Sequence, residues 1–140
     1  MRSIVRGVIL LVCVLLISSA TAAETTVVKR GRQIYLQNCV ACHGLTGRGD
    51  GPLARTLTTP PTNLRLLSDL YGNPLPEDRV ARVIDGRAEV KAHGPRDMPV
   101  WGERFYSETP GGERHVKARI AALVAYLQSI QSGIRRASAK

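Results

Sequence analysis

The stretch Cys39-Val40-Ala41-Cys42-His43 decides the fold of this 140-residue chain. Two cysteines separated by two residues and followed directly by a histidine form the attachment signature of c-type haem. Each thiol can add to one vinyl group of the porphyrin, and the histidine then lies under the iron, where its imidazole can be the proximal ligand. The stretch therefore predicts one haem held covalently by Cys39 and Cys42, with His43 as an iron ligand.

Two other uses of a Cys-x-x-Cys pair explain this sequence less well. A redox-active pair of the thioredoxin type needs no adjacent histidine and lies near a βαβ pattern, which this sequence lacks. A structural zinc site needs four ligands, and the remaining cysteine, Cys13, lies inside an apolar N-terminal run. Haem attachment is the interpretation that uses all three residues of the motif.

The first 22 residues have the pattern of a secretory signal peptide. Arg2 and Arg6 precede an unbroken apolar run at 8–17, and Ala20-Thr21-Ala22 has the small-x-small form that signal peptidase cleaves. The run is shorter than the roughly 20 apolar residues of a spanning helix, so we expect cleavage rather than retention as an anchor. The prediction is a periplasmic protein whose mature domain is residues 23–140.

The chain is strongly basic, with 20 Lys and Arg against 11 Asp and Glu. Loss of residues 1–22 would leave 18 basic and 11 acidic residues, a net charge of +7. Such a surface favours partners with an acidic docking face. No aromatic-basic pattern typical of nucleic-acid binding is present, so we expect no nucleic-acid ligand. We expect a monomer that contacts membranes only through a membrane-bound partner, unless the signal is retained.

Helical periodicity outside the signal predicts an all-α protein. The predicted helices run from about Val27 into the haem motif, from Asn63 to Tyr71, from Pro76 to Gly86, and from Glu113 to about Gln131. Glycines and prolines punctuate residues 44–63 and 86–112, which we expect to be loops. The core is expected to span about residues 26–132, followed by a basic tail at 133–140.

The glycine-rich loop after His43 lacks the Walker spacing and lysine of a phosphate-binding loop. We expect it instead to wrap the proximal edge of the haem. A proximal imidazole donates its second ring N–H to a neighbouring acceptor, commonly a backbone carbonyl. We predict that Pro52 supplies this carbonyl, with Pro60 and Pro61 as alternatives.

A low-spin haem needs a sixth ligand, and the candidates beyond the signal are Met98, His93 and His115. A lone methionine usually fills a hydrophobic core. Here a haem is already implied, and prolines on both sides of Met98 stiffen its loop, so we predict Met98 as the second axial ligand. His93 and an open coordination position are the alternatives, whereas His115 is expected at the surface of the last helix.

Three pieces of the sequence make it similar to class I cytochrome c, the monohaem periplasmic electron carriers of bacteria. They are Gly31-x3-Tyr35-x3-Cys39 leading into the haem motif, Met98-Pro99, and Leu123-x2-Tyr126. The resemblance covers nearly all of the chain after the signal and implies three to five helices around one covalent haem c. It implies that the first and last helices cross, with Gly31 and Tyr35 against Tyr126. It also implies that Trp101 lies near a haem propionate.

An iron ligated on both faces offers no open position to a substrate, which favours electron transfer without catalytic turnover. We therefore expect a carrier of single electrons between a donor and an acceptor, in a respiratory chain or from a dehydrogenase. Two alternatives stay open. One is an electron-entry subunit of a larger redox complex, and the other is a haem enzyme or sensor in which Met98 is displaced.

Overall fold

The computed structural model describes residues 26–88, 98–108 and 111–132. These residues form six α-helical segments and two 3₁₀ turns and include no β-strand. The helices are α1 at 26–38, α2 at Val40–His43, α3 at Leu67–Tyr71, α4 at Glu77–Asp85, α5 at Trp101–Glu108 and α6 at Gly112–Ser129. The 3₁₀ turns are Ala54–Thr56 and Leu64–Leu66. The all-α prediction is confirmed, with one helical segment more than the three to five expected.

The helices α1 and α6 cross where Gly31 lies against Ala122. A Cβ atom on Gly31 would come within 2.6 Å of the carbonyl carbon of Ala122 and 2.9 Å of the Cβ of Tyr126, so only glycine allows this approach. The rings of Tyr35 and Tyr126 also pack together, with centroids 5.2 Å apart and planes inclined at 50°. The predicted contact of Gly31 and Tyr35 with Tyr126 is confirmed.

The apolar stripe of α6 supplies much of the hydrophobic core. Its buried residues are Val116, Ile120, Ala122, Leu123, Val124, Tyr126 and Leu127. Buried side chains of α1, α4 and α5 join the same cluster. Full burial of one such aliphatic or aromatic side chain contributes about 1.5–3 kcal/mol, so the packing of α1, α4 and α5 against α6 stabilises the fold substantially.

Two short predicted helices are present as expected. The turn Leu64–Leu66 leads directly into α3, and the side chain of Asn63 accepts a hydrogen bond from the N–H of Arg65 at its start. Helix α4 follows Pro76 and ends at Gly86, which has a left-handed φ of 70°. A left-handed residue at this position is the ordinary way to end a helix, and glycine adopts it without strain.

Helix α5 lies in a stretch that we predicted to be a loop, and that prediction is wrong for residues 101–108. The glycines and prolines before Trp101 are turn formers and hid the helical pattern that follows. Trp101 and Phe105 are four residues apart, which places them on one face of a helix. Both are buried, and their ring centroids are 5.5 Å apart.

Some of the predictions fall on other parts of the chain. The predicted signal peptide at 1–22, His93 and the basic tail at 133–140 lie outside the described residues. Within the parts of the chain that the structure describes, none of the helices combines the length and the hydrophobicity needed to cross a membrane.

Candidate functional site

Cys39, Cys42 and His43 lie within one helical turn, where α1 passes into α2. The N–H groups of Cys42 and His43 both donate to the carbonyl of Cys39, at 3.3 and 2.9 Å. Both thiols are free and half-buried. The backbone therefore holds two thiols and one imidazole in a fixed relation to one another.

Burial raises the pKa of the Cys39 thiol to about 12, and the neighbouring Cys42 adds to the rise. A redox-active Cys-x-x-Cys pair has a lowered thiol pKa, because it reacts as the thiolate. Among the described residues, no group of three or more His, Cys, Asp or Glu is placed to hold a metal ion. The raised pKa of Cys39 is unlike that of a thioredoxin-type thiol, and the described residues do not supply the partners of a zinc site.

His43 is oriented by a hydrogen bond at one ring nitrogen. Its Nδ1 lies 3.1 Å from the carbonyl oxygen of Thr62. A carbonyl only accepts, so Nδ1 carries the hydrogen and Nε2 keeps its lone pair for a metal. Burial lowers the pKa of His43, while the bond to Thr62 opposes that effect. A neutral imidazole with one free nitrogen is the form that binds iron.

The carbonyl that is hydrogen-bonded to His43 belongs to Thr62. The prediction that Pro52 supplies this carbonyl is therefore wrong, and neither of the two alternatives, Pro60 and Pro61, supplies it. The reason lies in the path of the loop. Its alternate N–H groups donate to the last carbonyls of α2: Gly49 to His43, Gly51 to Cys42 and Leu53 to Ala41, at 2.9, 3.1 and 2.9 Å. Pro52 lies between two of these donors and remains exposed.

Gly51 allows this loop to lie directly against α2. A Cβ atom at this position would come within 2.5 Å of the carbonyl oxygen of Val40 and 2.6 Å of the carbonyl carbon of Cys42. The loop thereby satisfies carbonyls that the end of a helix otherwise leaves without a partner. Gly51 thus allows the loop to close over the end of α2, directly beside His43. That this loop wraps the proximal edge of the haem stays a prediction.

The hydroxyl of Tyr35 donates a hydrogen bond to the carbonyl of Gly44, the residue after His43. Burial raises the pKa of Tyr35, and nearby Cys39 and Tyr126 add to the rise, so the hydroxyl keeps its proton. Sequence reasoning identified the ring of Tyr35 at the helix crossing but missed this bond. The same side chain therefore connects the crossing of α1 and α6 to the haem motif.

The remaining predicted site residues lie on other elements. Met98 is half-buried and packs against the same hydrophobic cluster that Cys39 contacts. Trp101 is buried beside Phe105, and the guanidinium carbon of Arg104 lies 5.3 Å from the centroid of its ring. That Trp101 lies near a haem propionate stays a prediction. His115 is half-buried in the first turn of α6.

A family model described as Cytochrome c matches residues 28–131. The chain therefore belongs to the cytochrome c family. A curated relative, the Cbb3-type cytochrome c oxidase subunit FixP of Azorhizobium caulinodans, is 29% identical over 117 residues. That match covers 84% of this chain and 32% of the relative. No solved structure matches the chain.

Membership of the family confirms the resemblance to class I cytochrome c and means that the chain carries covalently bound haem c and takes part in electron transfer. The described residues fit this group on their own chemistry. Cys39 and Cys42 are both unpaired, and His43 has one ring nitrogen engaged and the other available. Two free thiols and one neutral imidazole are the donor set that haem c requires.

Proposed function

We propose that this chain is an electron carrier with haem c joined to Cys39 and Cys42 and with His43 and Met98 as axial iron ligands. The observation that carries the proposal is the geometry at His43. Its Nδ1 is held by the carbonyl of Thr62 in the same turn as two free thiols. When bound, the haem supplies an iron that exchanges one electron between its ferric and ferrous states.

The protein residues set the conditions for that exchange. Thr62 fixes the orientation of the His43 ring and makes its free nitrogen a more basic ligand. The thioether of Met98 favours ferrous iron, and Met/His ligation raises the reduction potential. Two axial ligands from the protein leave no coordination position for a substrate, which supports a carrier without catalytic turnover.

We further propose that the carrier works in the periplasm and exchanges electrons with a donor and an acceptor that present acidic docking faces to this basic chain. The N-terminal pattern of Arg2, Arg6 and the apolar run supports export. The loop after His43 exposes Arg48 together with Leu45, which is 72% exposed. An exposed cation and an exposed apolar side chain in the loop next to the haem motif suit a transient interface with an acidic partner.

A fixed subunit of a redox complex is the second candidate. The curated relative is named as an oxidase subunit, and this chain corresponds to 32% of its length. A domain of this kind can serve as the electron entry of a larger assembly. If this chain carries an affinity tag and other redox proteins copurify with it from native membranes, the subunit is favoured. Recovery of the tagged chain without other proteins would favour the free carrier.

Mass spectrometry and absorption spectroscopy test the principal proposal. The intact mass should equal the polypeptide plus one haem, and acidified organic solvent should extract no haem. The ferric protein should be low-spin and show a methionine-to-iron charge-transfer band. Extractable haem would overturn thioether attachment, and a resting high-spin iron would overturn closed ligation. A mature chain beginning at about Ala23 would support export with cleavage, whereas retention of Met1 would support an anchor.

A further inference from the structure

Gln131 is a buried polar residue just beyond the end of α6, only 9% exposed. Its Oε1 accepts hydrogen bonds from the N–H and the hydroxyl of Ser68, at 3.0 and 3.2 Å. Its Nε2 donates to the carbonyls of Leu64 and Leu127, both at 2.7 Å. The amide thus uses both of its N–H groups and both lone pairs of its oxygen within the chain.

These bonds fasten the segment 62–68 to the last helix. Two backbone groups of the segment, the carbonyl of Leu64 and the N–H of Ser68, are hydrogen-bonded to the Gln131 amide, as is the hydroxyl of Ser68. The adjacent N–H of Ser132 also donates to the carbonyl of Arg65 at 2.9 Å. A buried amide costs free energy unless it is fully hydrogen-bonded, so this contact is specific in geometry as well as stabilising.

The same segment carries the carbonyl that orients His43. Thr62 lies two residues before Leu64, and the Asn63 side chain between them caps the turn by accepting from the N–H of Arg65. The N–H of Leu64 donates to the carbonyl of Gly47 at 2.7 Å, in the loop that follows His43. Leu64 is therefore hydrogen-bonded through its N–H to the loop that follows His43 and through its carbonyl to Gln131.

We propose that Gln131 is a positioning residue for the haem site, which holds the segment 62–68 so that the carbonyl of Thr62 accepts from Nδ1 of His43. The inference rests on the proposed ligation of iron by His43. A hydrogen bond at Nδ1 raises the basicity of the other ring nitrogen, and a more basic ligand stabilises ferric iron. Loss of the Gln131 amide should loosen this bond and shift the equilibrium toward ferrous iron.

The test compares Gln131→Met with Gln128→Met in the haem-loaded protein. Both changes remove an amide from the same end of the chain and keep a long unbranched side chain. In the described part of the chain, the Gln128 side chain donates a hydrogen bond to the exposed carboxylate of Glu77 at 2.9 Å, away from the segment 62–68, and so serves as the matched control. Redox titration gives the midpoint potential, and NMR of the ferrous protein gives the chemical shift of the His43 Nδ1–H.

Gln131→Met should move the Nδ1–H resonance upfield and raise the ferrous-to-ferric ratio at fixed applied potential by up to about tenfold, which is about 59 mV for one electron. Gln128→Met should change neither quantity. Ser68→Ala removes one hydroxyl from the network, and we expect a smaller change in the same direction. If Gln131→Met does not fold, the values for Ser68→Ala test the inference in its place.

Unchanged values of both quantities in Gln131→Met, or in Ser68→Ala where only that variant folds, would overturn the inference and leave Gln131 a structural residue. A different outcome identifies failure of the proposed ligation. If the ring protons of His43 in the wild-type ferrous protein lack the large upfield shift of an iron-bound imidazole, His43 is not the ligand. The role of Gln131 toward it then fails as well.

Discussion

Tyr35 and Tyr126 pack their rings together at the crossing of α1 and α6, with centroids 5.2 Å apart. Tyr35 also donates its hydroxyl hydrogen to the carbonyl of Gly44, directly after the predicted iron ligand His43. One side chain therefore contributes both to the core and to the site. A change that separates the two terminal helices should be felt at the haem motif as well as in overall stability.

Replacement of Tyr126 by alanine should lower the free energy of unfolding by about 3–5 kcal/mol, because the ring is 7% exposed and its loss leaves a cavity at the crossing. Denaturant unfolding of the haem-loaded protein measures the change. Tyr106→Ala is the control, since that ring is 57% exposed and its removal should cost no more than about 0.5 kcal/mol. Equal effects of the two substitutions would contradict the crossing.

Replacement of Gly31 by alanine should destabilise the protein, although the same change in a solvent-exposed helix stabilises by about 1 kcal/mol. The added Cβ would collide with the backbone of Ala122, and overpacking of this kind costs about 1–3 kcal/mol. The exposed neighbour Arg32, changed to alanine, provides the control. An increase in the midpoint of denaturation for Gly31→Ala would mean that α1 and α6 are not in contact there.

The helix crossing was predictable because its signal is carried by side-chain spacing. Gly31, Tyr35 and Cys39 recur every four residues and so share one helix face. The resemblance to class I cytochrome c added the partner, Tyr126. The helix α5 was missed for a related reason, since its face shows only Trp101 and Phe105 in eight residues that follow a turn-forming stretch.

The contacts around His43 were not predictable in the same way. The acceptor of its N–H is a backbone carbonyl, and every residue has one, so the identity of Thr62 leaves no mark on the sequence. Only the path of the loop selects it. Gln131 likewise has the appearance of an ordinary polar helix end, and its burial depends on the segment 62–68 folding over it.

An ion-pair network should make stability depend on pH. The guanidinium of Arg87 donates hydrogen bonds to the carboxylates of Asp85 and Glu113 and so joins the end of α4 to the start of α6. Its hydrogen bonds hold the pKa values of both carboxyl groups below their usual range. Groups with a lowered folded-state pKa stabilise the protein above their unfolded pKa values, about 3.9 and 4.3, and lose this effect as pH falls through the folded values.

Arg87→Met should therefore lower the melting temperature at pH 7, and its deficit relative to the wild type should shrink as pH falls below about 4. Thermal unfolding between pH 7 and pH 3 measures this trend. Arg82→Met, an exposed arginine of α4, is the control and should show little pH-dependent difference. A deficit for Arg87→Met that stays constant over this range would assign the contribution of Arg87 to packing and not to charge.

Substitution of Met98 tests the proposed second ligand. Met98→His should keep the iron low-spin and lower the reduction potential, because imidazole lacks the preference of a thioether for ferrous iron. Met98→Ala should open a coordination position that binds carbon monoxide. Absorption spectra and redox titration measure both effects, and His115→Ala should leave the spectrum unchanged. If Met98→Ala also leaves it unchanged, His93 becomes the favoured ligand.

The final prediction concerns the charge of the docking surface. Arg48 is exposed in the loop that folds over the end of α2, so it should be close to any partner that approaches the haem motif. The Debye length falls from about 30 Å at 0.01 M salt to about 10 Å at 0.1 M. If the partner is acidic, the second-order rate of electron transfer should therefore fall steeply over this range.

Stopped-flow kinetics with an acidic redox protein as electron donor measures this rate. Arg48→Glu should slow it at 0.01 M salt and leave the reduction potential nearly unchanged, because steering acts on the encounter and not on the iron. Lys117→Glu makes the same change of charge in the groove between α4 and α6 and should have a smaller effect. Equal slowing by both variants would attribute the effect to net charge alone. A rate that is flat or rises with salt would show that the basic surface does not steer an acidic partner and would leave the arginines as a solvated surface.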